Sequence, residues 1–481
     1  MNTVKQTKIE YSLHTLNIIV LLFAVVIAWY PLLNTYWPVN DDYTWMDVGI
    51  GMDHFHNSGV WRIVGNSLAT LSITDEPVSH GLLAILTHSC LTVLFYLVCQ
   101  QLFSLSLLSF NLALIGGIFP WGYQAMTWAA AYTYMIATAF FWANLLTLIK
   151  FGPKKNKQKG VFIASFVFSL LSLLSNECLI FALVISGSYI WFLPNKPSIT
   201  TVKNRFKMLY SGWAPLIAAC CYLALYILRK PVINKQVSLN PASVISVYYH
   251  QYSNLDVFQP WLDPTTREFL FYSVSFQDIF VLIFLFILLI LGLWTILKSS
   301  DRNDSNTKPT IQLLGYIILL LLGASAIYAL GGGYSLDTRK KYALIPLLLL
   351  LTGWLWCYFL RQRIKISTKR IFGMTLLVIV LGVSTTWLNV NIWSYEAMRY
   401  NRLADFLRKK QFPENIRIEW VPDLYSAWPT MSRSWGFRLD EQWVLNMAVK
   451  FRGGAPVDVV TDNDAKTVRF DPSSNGWMEI K

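Results

Sequence analysis

The chain has 481 residues, 54% of them apolar and only 14% charged, with a formal net charge of +13 and a mean hydropathy of +0.43. A soluble domain carries about 25% charged residues, so a string of soluble domains is excluded. A soluble nucleic-acid binder is excluded too, because the basic excess is localised: residues 391–481 hold 13 Lys and Arg against 12 Asp and Glu, which leaves 27 against 15 in the first 390.

About 20 apolar residues cover the ~30 Å hydrocarbon layer of a bilayer. Eleven stretches approach that length: 17–33, 79–101, 104–120, 130–149, 161–175, 178–193, 209–228, 278–297, 311–330, 342–360 and 371–390. The first reads as a span rather than a cleaved leader, since no small-residue cleavage site precedes Tyr30-Pro31. A loop of about 45 residues (34–78) follows it and opens on Val39-Asn40-Asp41-Asp42-Tyr43. An acidic pair in a loop is most simply solvated. Here it stands directly after a span, where each carboxylate raises the pKa of the other and ionisable groups near membrane depth tend to have a function. The apolar positions beyond it, from Trp45 and Met52 to Leu68 and Leu71, predict interfacial amphipathic helix. Asp53-His54-Phe55-His56 lacks metal-ligand spacing, because the two histidines point some 200° apart on a helix.

Glu76 precedes the second stretch and His80 lies just inside it; the bland reading of His80 is a hydrogen-bonded helix histidine. Trp121, Tyr123, Trp128, Tyr132 and Tyr134 gather around the next turn, where interfacial belts account for most aromatics. Stretches 161–175 and 178–193 form a tight pair turning at Ser175-Asn176-Glu177, which puts an ionisable residue between two apolar runs. Arg229-Lys230 opens a second large loop (229–277), and Gly331-Gly332-Gly333-Tyr334 leads into Arg339-Lys340-Lys341-Tyr342. Both basic groups can anchor anionic headgroups or receive a phosphate. The tail, 391–481, predicts a helix over 391–410, short strands at 416–421, 457–460, 467–470 and 477–480, and a helix near 440–450: a small α/β module after a transmembrane module of residues 1–390. All six cysteines fall in or beside the apolar stretches, which predicts buried thiols and no disulfide framework.

Alternate connections hold 19 basic residues against three acidic ones (Glu10, Asp301, Asp304), whereas the opposite set holds eight basic residues. By the positive-inside rule the amino terminus is cytoplasmic, and eleven spans put both large loops and the tail outside.

A first span, an outer loop opening with an acidic pair, interfacial helices, many further spans and an outer carboxyl-terminal module together resemble the GT-C superfamily of integral-membrane glycosyltransferases. Within it the chain is similar to bacterial and phage O-antigen glucosyltransferases. The motifs that carry the resemblance are Asn40-Asp41-Asp42, Glu76-Pro77, Ser175-Asn176-Glu177, Gly332-Gly333-Tyr334-Ser335 and Arg339-Lys340-Lys341-Tyr342. They span most of 17–400 and are informative as an ordered set.

The resemblance implies an α-helical polytopic fold in a bacterial inner membrane with a small periplasmic α/β domain. It implies inverting transfer of a hexose, glucose first, from undecaprenyl phosphate to an O-antigen or other lipid-linked glycan. A donor synthase and a flippase are implied upstream, and membrane lipids surround the chain. One carboxylate acts as general base in such chemistry; inversion needs no second, nucleophilic one. That base is Asp41 or Asp42, with Asp41 favoured. Arg339, Lys340, Lys341 and Arg229 would meet the leaving phosphate, and Glu177, Glu76, His80 and Tyr334 the sugars, with Glu177 alternatively pairing Arg339. No cofactor is implied; a divalent metal is compatible, although a donor with one phosphate is served by cationic side chains. A lipid-linked oligosaccharide translocase would show mid-membrane binding groups and internal symmetry, neither of which is visible. An O-antigen polymerase would rely on the basic loops and tolerate loss of Asp41 and Asp42.

Overall fold

The computed structural model describes residues 2–35, 62–72, 77–127, 131–152, 155–192, 202–228, 258, 261, 267–300, 309–330, 342–360, 368–410, 415–419, 442–451, 455, 458–459, 466–471, 474 and 476–480. Each of the eleven predicted apolar stretches carries a helix. Among the described residues, six helices are long and apolar enough to cross a membrane, and five shorter apolar helices occupy the other stretches.

In chain order the helices are α1 (Asn2–Trp29), α2 (Leu32–Thr35), α3 (Ile63–Ser72), α4 (Pro77–Phe103), α5 (Ser106–Ile118), α6 (Tyr123–Thr127), α7 (Tyr132–Phe151) and α8 (Gln158–Ser175). A 3₁₀ turn, Glu177–Leu179, leads into α9 (Ile180–Ser186), α10 (Tyr189–Phe192) and α11 (Val202–Leu228). Then come α12 (Phe276–Ser300), α13 (Ile311–Leu330), α14 (Ile345–Leu355), continued by a π-helical turn at Trp356–Leu360, and α15 (Thr368–Lys410).

The helices run alternately up and down, so Lys150, Lys157, Lys159, Lys298, Lys369 and Arg370, all exposed, share one end of the bundle, called here the basic end. Inside hydrocarbon every carbonyl freed at a helix end needs a donor. Trp29 Nε1 donates to Gly117 O at 2.9 Å, Thr386 Oγ1 to Ile118 O at 2.6 Å and Trp387 Nε1 to Ile27 O at 2.8 Å. These bonds knit α1, α5 and α15 together toward the opposite end. At the basic end Asn17 Nδ2 donates to Tyr96 Oη (2.8 Å) and Ser106 Oγ (2.9 Å), joining α1 to α4 and α5. Without a hydrophobic drive between helices in lipid, small residues permit close van der Waals approach. Gly187 and Gly212 do this where the chain after α9 meets α11: a Cβ on Gly187 would stand 2.1 Å from Gly212 O.

Three expectations change. Residues 391–410 do not start a separate element: α15 is one helix of 43 residues, about 65 Å at ~1.5 Å per residue, passing through position 390 without a break. Three of the cysteines, Cys90, Cys220 and Cys221, are exposed on the helix surface rather than buried; Cys99, Cys178 and Cys357 are buried, and none of the six is in a disulfide. Of the aromatic group near 121–134, Tyr132 and Tyr134 pack in the core instead of forming a belt.

Beyond α15, β1 (Asn415–Glu419), α16 (Gln442–Phe451), β2 (Asp458–Val459), β3 (Lys466–Asp471) and β4 (Gly476–Ile480) build a four-stranded sheet of order β2-β1-β3-β4 with one helix. β1 is parallel to β2 and β3, and β3–β4 is antiparallel. The sheet docks on the far half of α15, where Trp477 Nε1 donates to Arg399 O at 3.0 Å.

Candidate functional site at the end opposite the basic loops

One group of ionisable side chains, Arg62 and Glu177 with tyrosines of α11, lies where α3, the Glu177 turn and α11 converge. Asn176 starts that turn: its side chain accepts from Cys178 N at 3.1 Å, and its Nδ2 donates to Thr133 Oγ1 at 3.3 Å. This asparagine cap, a common device at helix starts, holds Glu177 outward from the bundle. Gly65 does the matching work on α3. A Cβ there would lie 2.5 Å from Ser175 O, so only glycine lets α3 rest on the end of α8. That close approach brings Arg62 to Glu177.

Arg62 Nε donates to Glu177 Oε2 at 2.9 Å and Nη2 to Oε1 at 2.6 Å, the fork geometry in which arginine binds a carboxylate best. Both side chains are about a third exposed (37% and 33%). Desolvation opposes the Arg62 charge, but the Glu177 carboxylate outweighs it, and the guanidinium titrates well above its usual value. Tyr134 and Tyr222 lie within electrostatic reach of Arg62, and Tyr222 and Tyr226 within that of Glu177. Tyr222 is 2% exposed, and its hydroxyl has no hydrogen-bond partner among the described residues. A buried polar atom left over beside an ion pair calls for an explanation; a polar ligand supplies one.

His80 is fully buried, and its Nε2–H donates to Met126 O at 2.9 Å. That bond ties α4 to α6. Two turns along α4, His88 bridges three elements. A carbonyl only accepts, so Nε2 carries the proton toward Gly117 O at 2.9 Å, and Nδ1 accepts from Tyr342 Oη. Tyr342 closes the motif that begins at Arg339, and Gly122 makes room for it: an added Cβ would sit 2.7 Å from the tyrosine.

Of the residues singled out in the sequence, Asp41, Asp42, Glu76, Arg229, Tyr334, Arg339, Lys340 and Lys341 lie outside the described residues. Glu177 is described and is held by Arg62; the alternative pairing with Arg339 falls outside the described residues. The sequence reading missed Arg62, although a signal existed: it is the only Lys or Arg in residues 34–78. The first loop's described part, α3, docks against α7 and α8. Among the described residues no group of three or more His, Cys, Asp or Glu stands together to hold a metal.

No family model and no curated protein matches the sequence. Among solved structures, the chain is similar to an Archaeoglobus fulgidus oligosaccharyltransferase tethered with an acceptor peptide, at 12% identity and a TM-score of 0.35, over 88% of this chain and 63% of that one. It is similar to the Archaeoglobus fulgidus oligosaccharyltransferase AglB in complex with an inhibitory peptide and a dolichol-phosphate, at 12% identity and a TM-score of 0.35, over 98% and 74%. It is also similar to the mycobacterial arabinofuranosyltransferase AftD, at 12% identity and a TM-score of 0.36, over 83% and 29%. The chain thus spans 63% of the length of the first of these. Overlap at this level does not establish a common fold.

Proposed function

We propose that the chain is an integral-membrane glycosyltransferase of the GT-C type, moving a hexose from a polyprenyl phosphate to a glycan acceptor at the end opposite the basic loops. The observation that carries this reading is the Arg62–Glu177 pair beside the Tyr222 hydroxyl, which has no hydrogen-bond partner among the described residues: a polar, partly exposed site built on the end of an apolar bundle, with the first loop fastened to it. Carboxylate, guanidinium and phenol are groups that hydrogen-bond sugar hydroxyls and meet phosphate charge.

In this reading Asp41 of the same loop takes the acceptor hydroxyl proton as it attacks the anomeric carbon. Asp42 orients the acceptor. Arg339, with Lys340, Lys341 and Arg229, stabilises the departing lipid phosphate. Glu177, held by Arg62, orders the sugar site, with Glu76 and Tyr334 as further sugar-binding residues. The donor is undecaprenyl-phosphoglucose and the acceptor a periplasmic O-antigen or lipid-linked glycan.

Purified protein in lipid nanodiscs should transfer labelled hexose from a polyprenyl-phosphate donor, with glucose first in a donor panel, to a lipopolysaccharide or lipid-linked glycan fraction. No transfer from any lipid-phosphate sugar would contradict the proposal.

A further inference from the structure

The basic end holds a second feature, unrelated to the site above. α5 and α15 touch closely at Gly382, where a Cβ would stand 2.7 Å from the Ile118 side chain. Nearer the basic end they are tied by Thr375 Oγ1 donating to Asn111 Oδ1 at 3.2 Å. Beside this tie, between α5, α14 and α15, lies a cavity of about 430 Å³, walled by Leu108, Ile115, Gly353, Trp356, Met374 and Thr375 among others. Gly353 thins one wall: a Cβ there would meet Leu112 at 2.6 Å. Trp356 opens the π-helical turn that ends α14, and such turns are wider than an α-turn and recur at functional sites. Met374 is 58% exposed and Thr352 is exposed, so the cavity opens sideways onto the surface that faces lipid.

Burial does not choose the occupant, because lipid tails are as apolar as the walls. Charge does. Lys369 and Arg370, both exposed, directly precede Ile371 of the cavity wall. They stand in the first turn of α15, whose free N–H groups and dipole also favour an anion. Among the described residues no carboxylate pairs with either. A ligand with a hydrocarbon chain and an anionic head satisfies both features.

We infer that this cavity is a lipid site: it takes one acyl chain of an anionic phospholipid, whose phosphate rests against Lys369 and Arg370. Nothing in the inference depends on the reaction proposed above.

The test uses the full chain in nanodiscs with phosphatidylglycerol or phosphatidylcholine carrying a photoactivatable group near the end of one acyl chain, and adducts mapped by peptide mass spectrometry. Phosphatidylglycerol should label residues 105–115 and 371–378 about thirtyfold more than phosphatidylcholine does, the scale expected of two basic residues at a membrane surface. Lys369→Ala with Arg370→Ala, surface changes that leave the packing intact, should erase that preference. Thr375→Trp should fill the cavity and remove its adducts while labelling of α12 persists. Equal labelling by the two lipids, adducts spread evenly over the lipid-facing helices, or a preference that survives both basic substitutions would overturn the inference.

Discussion

At the residue scale, the Arg62–Glu177 pair decides whether the first loop is held. Partly exposed ion pairs contribute little to stability, roughly 0.2–1 kcal/mol, so a double-mutant cycle of Arg62→Gln and Glu177→Gln should give a coupling of about 1 kcal/mol or less in thermal unfolding. The functional loss should be larger than that, because α3 carries the loop. Either single substitution should cut transfer at least about tenfold and raise hydrogen exchange across residues 62–72; unchanged exchange there would show that the pair does not fasten the loop. At His88 the balance is reversed. Tyr342→Phe removes the hydroxyl that serves a buried Nδ1, which costs about 1–3 kcal/mol, and should appear as a lower melting temperature measured in detergent. Glu177 was legible as a residue of interest because it interrupts two apolar runs. Its partner was not. The pairing depends on how far α3 sinks onto α8, and that is set by the absent Cβ of Gly65, a contact between residues 110 positions apart.

At the element scale, Gly65→Ala sets propensity against packing. Alanine favours a helix by about 1 kcal/mol over glycine, but its Cβ would lie 2.5 Å from Ser175 O, a backbone atom that cannot swing aside. Packing should win. We expect α3 to lift off, with transfer lost together with the Arg62–Glu177 bond; wild-type transfer by this variant would contradict the docking of α3. α15 teaches a related lesson. Its apolar half was plain from hydropathy and 391–410 read as a helix, but that the two form one unbroken helix was hidden, since Glu396 and Arg399 suggest a separate, solvated element. Both are buried, 5% and 2% exposed, and paired at 3.0 Å beneath the sheet. A buried pair broken on one side costs about 3–5 kcal/mol, so Arg399→Ala should lower stability sharply. Arg399→Ala with Glu396→Ala should be milder than that, as unfolding in detergent can show.

At the scale of the whole molecule, the alternation of apolar runs and the one-sided basic loops carried the helical architecture. Period and charge act locally, so they survive in a single sequence. The site did not survive so well, because it joins a first-loop helix, a hairpin turn and α11, which only tertiary packing brings together. Sidedness is testable in a cysteine-free background. Ser474→Cys, in the sheet module, should react with an impermeant maleimide applied from outside, and Gly160→Cys, at the basic end, should react only after the membrane is opened. The reverse pattern would invert the orientation.

The most direct test of the central claim is labelled hexose transfer from polyprenyl-phosphoglucose by wild type, Asp41→Asn and Asp42→Asn, purified side by side at matched yield. A general base contributes about 10²–10⁴-fold. The account predicts transfer by the wild type and a loss of that size in Asp41→Asn, with Asp42→Asn less affected. Full activity in both variants would contradict it and move the search for the base to Glu177.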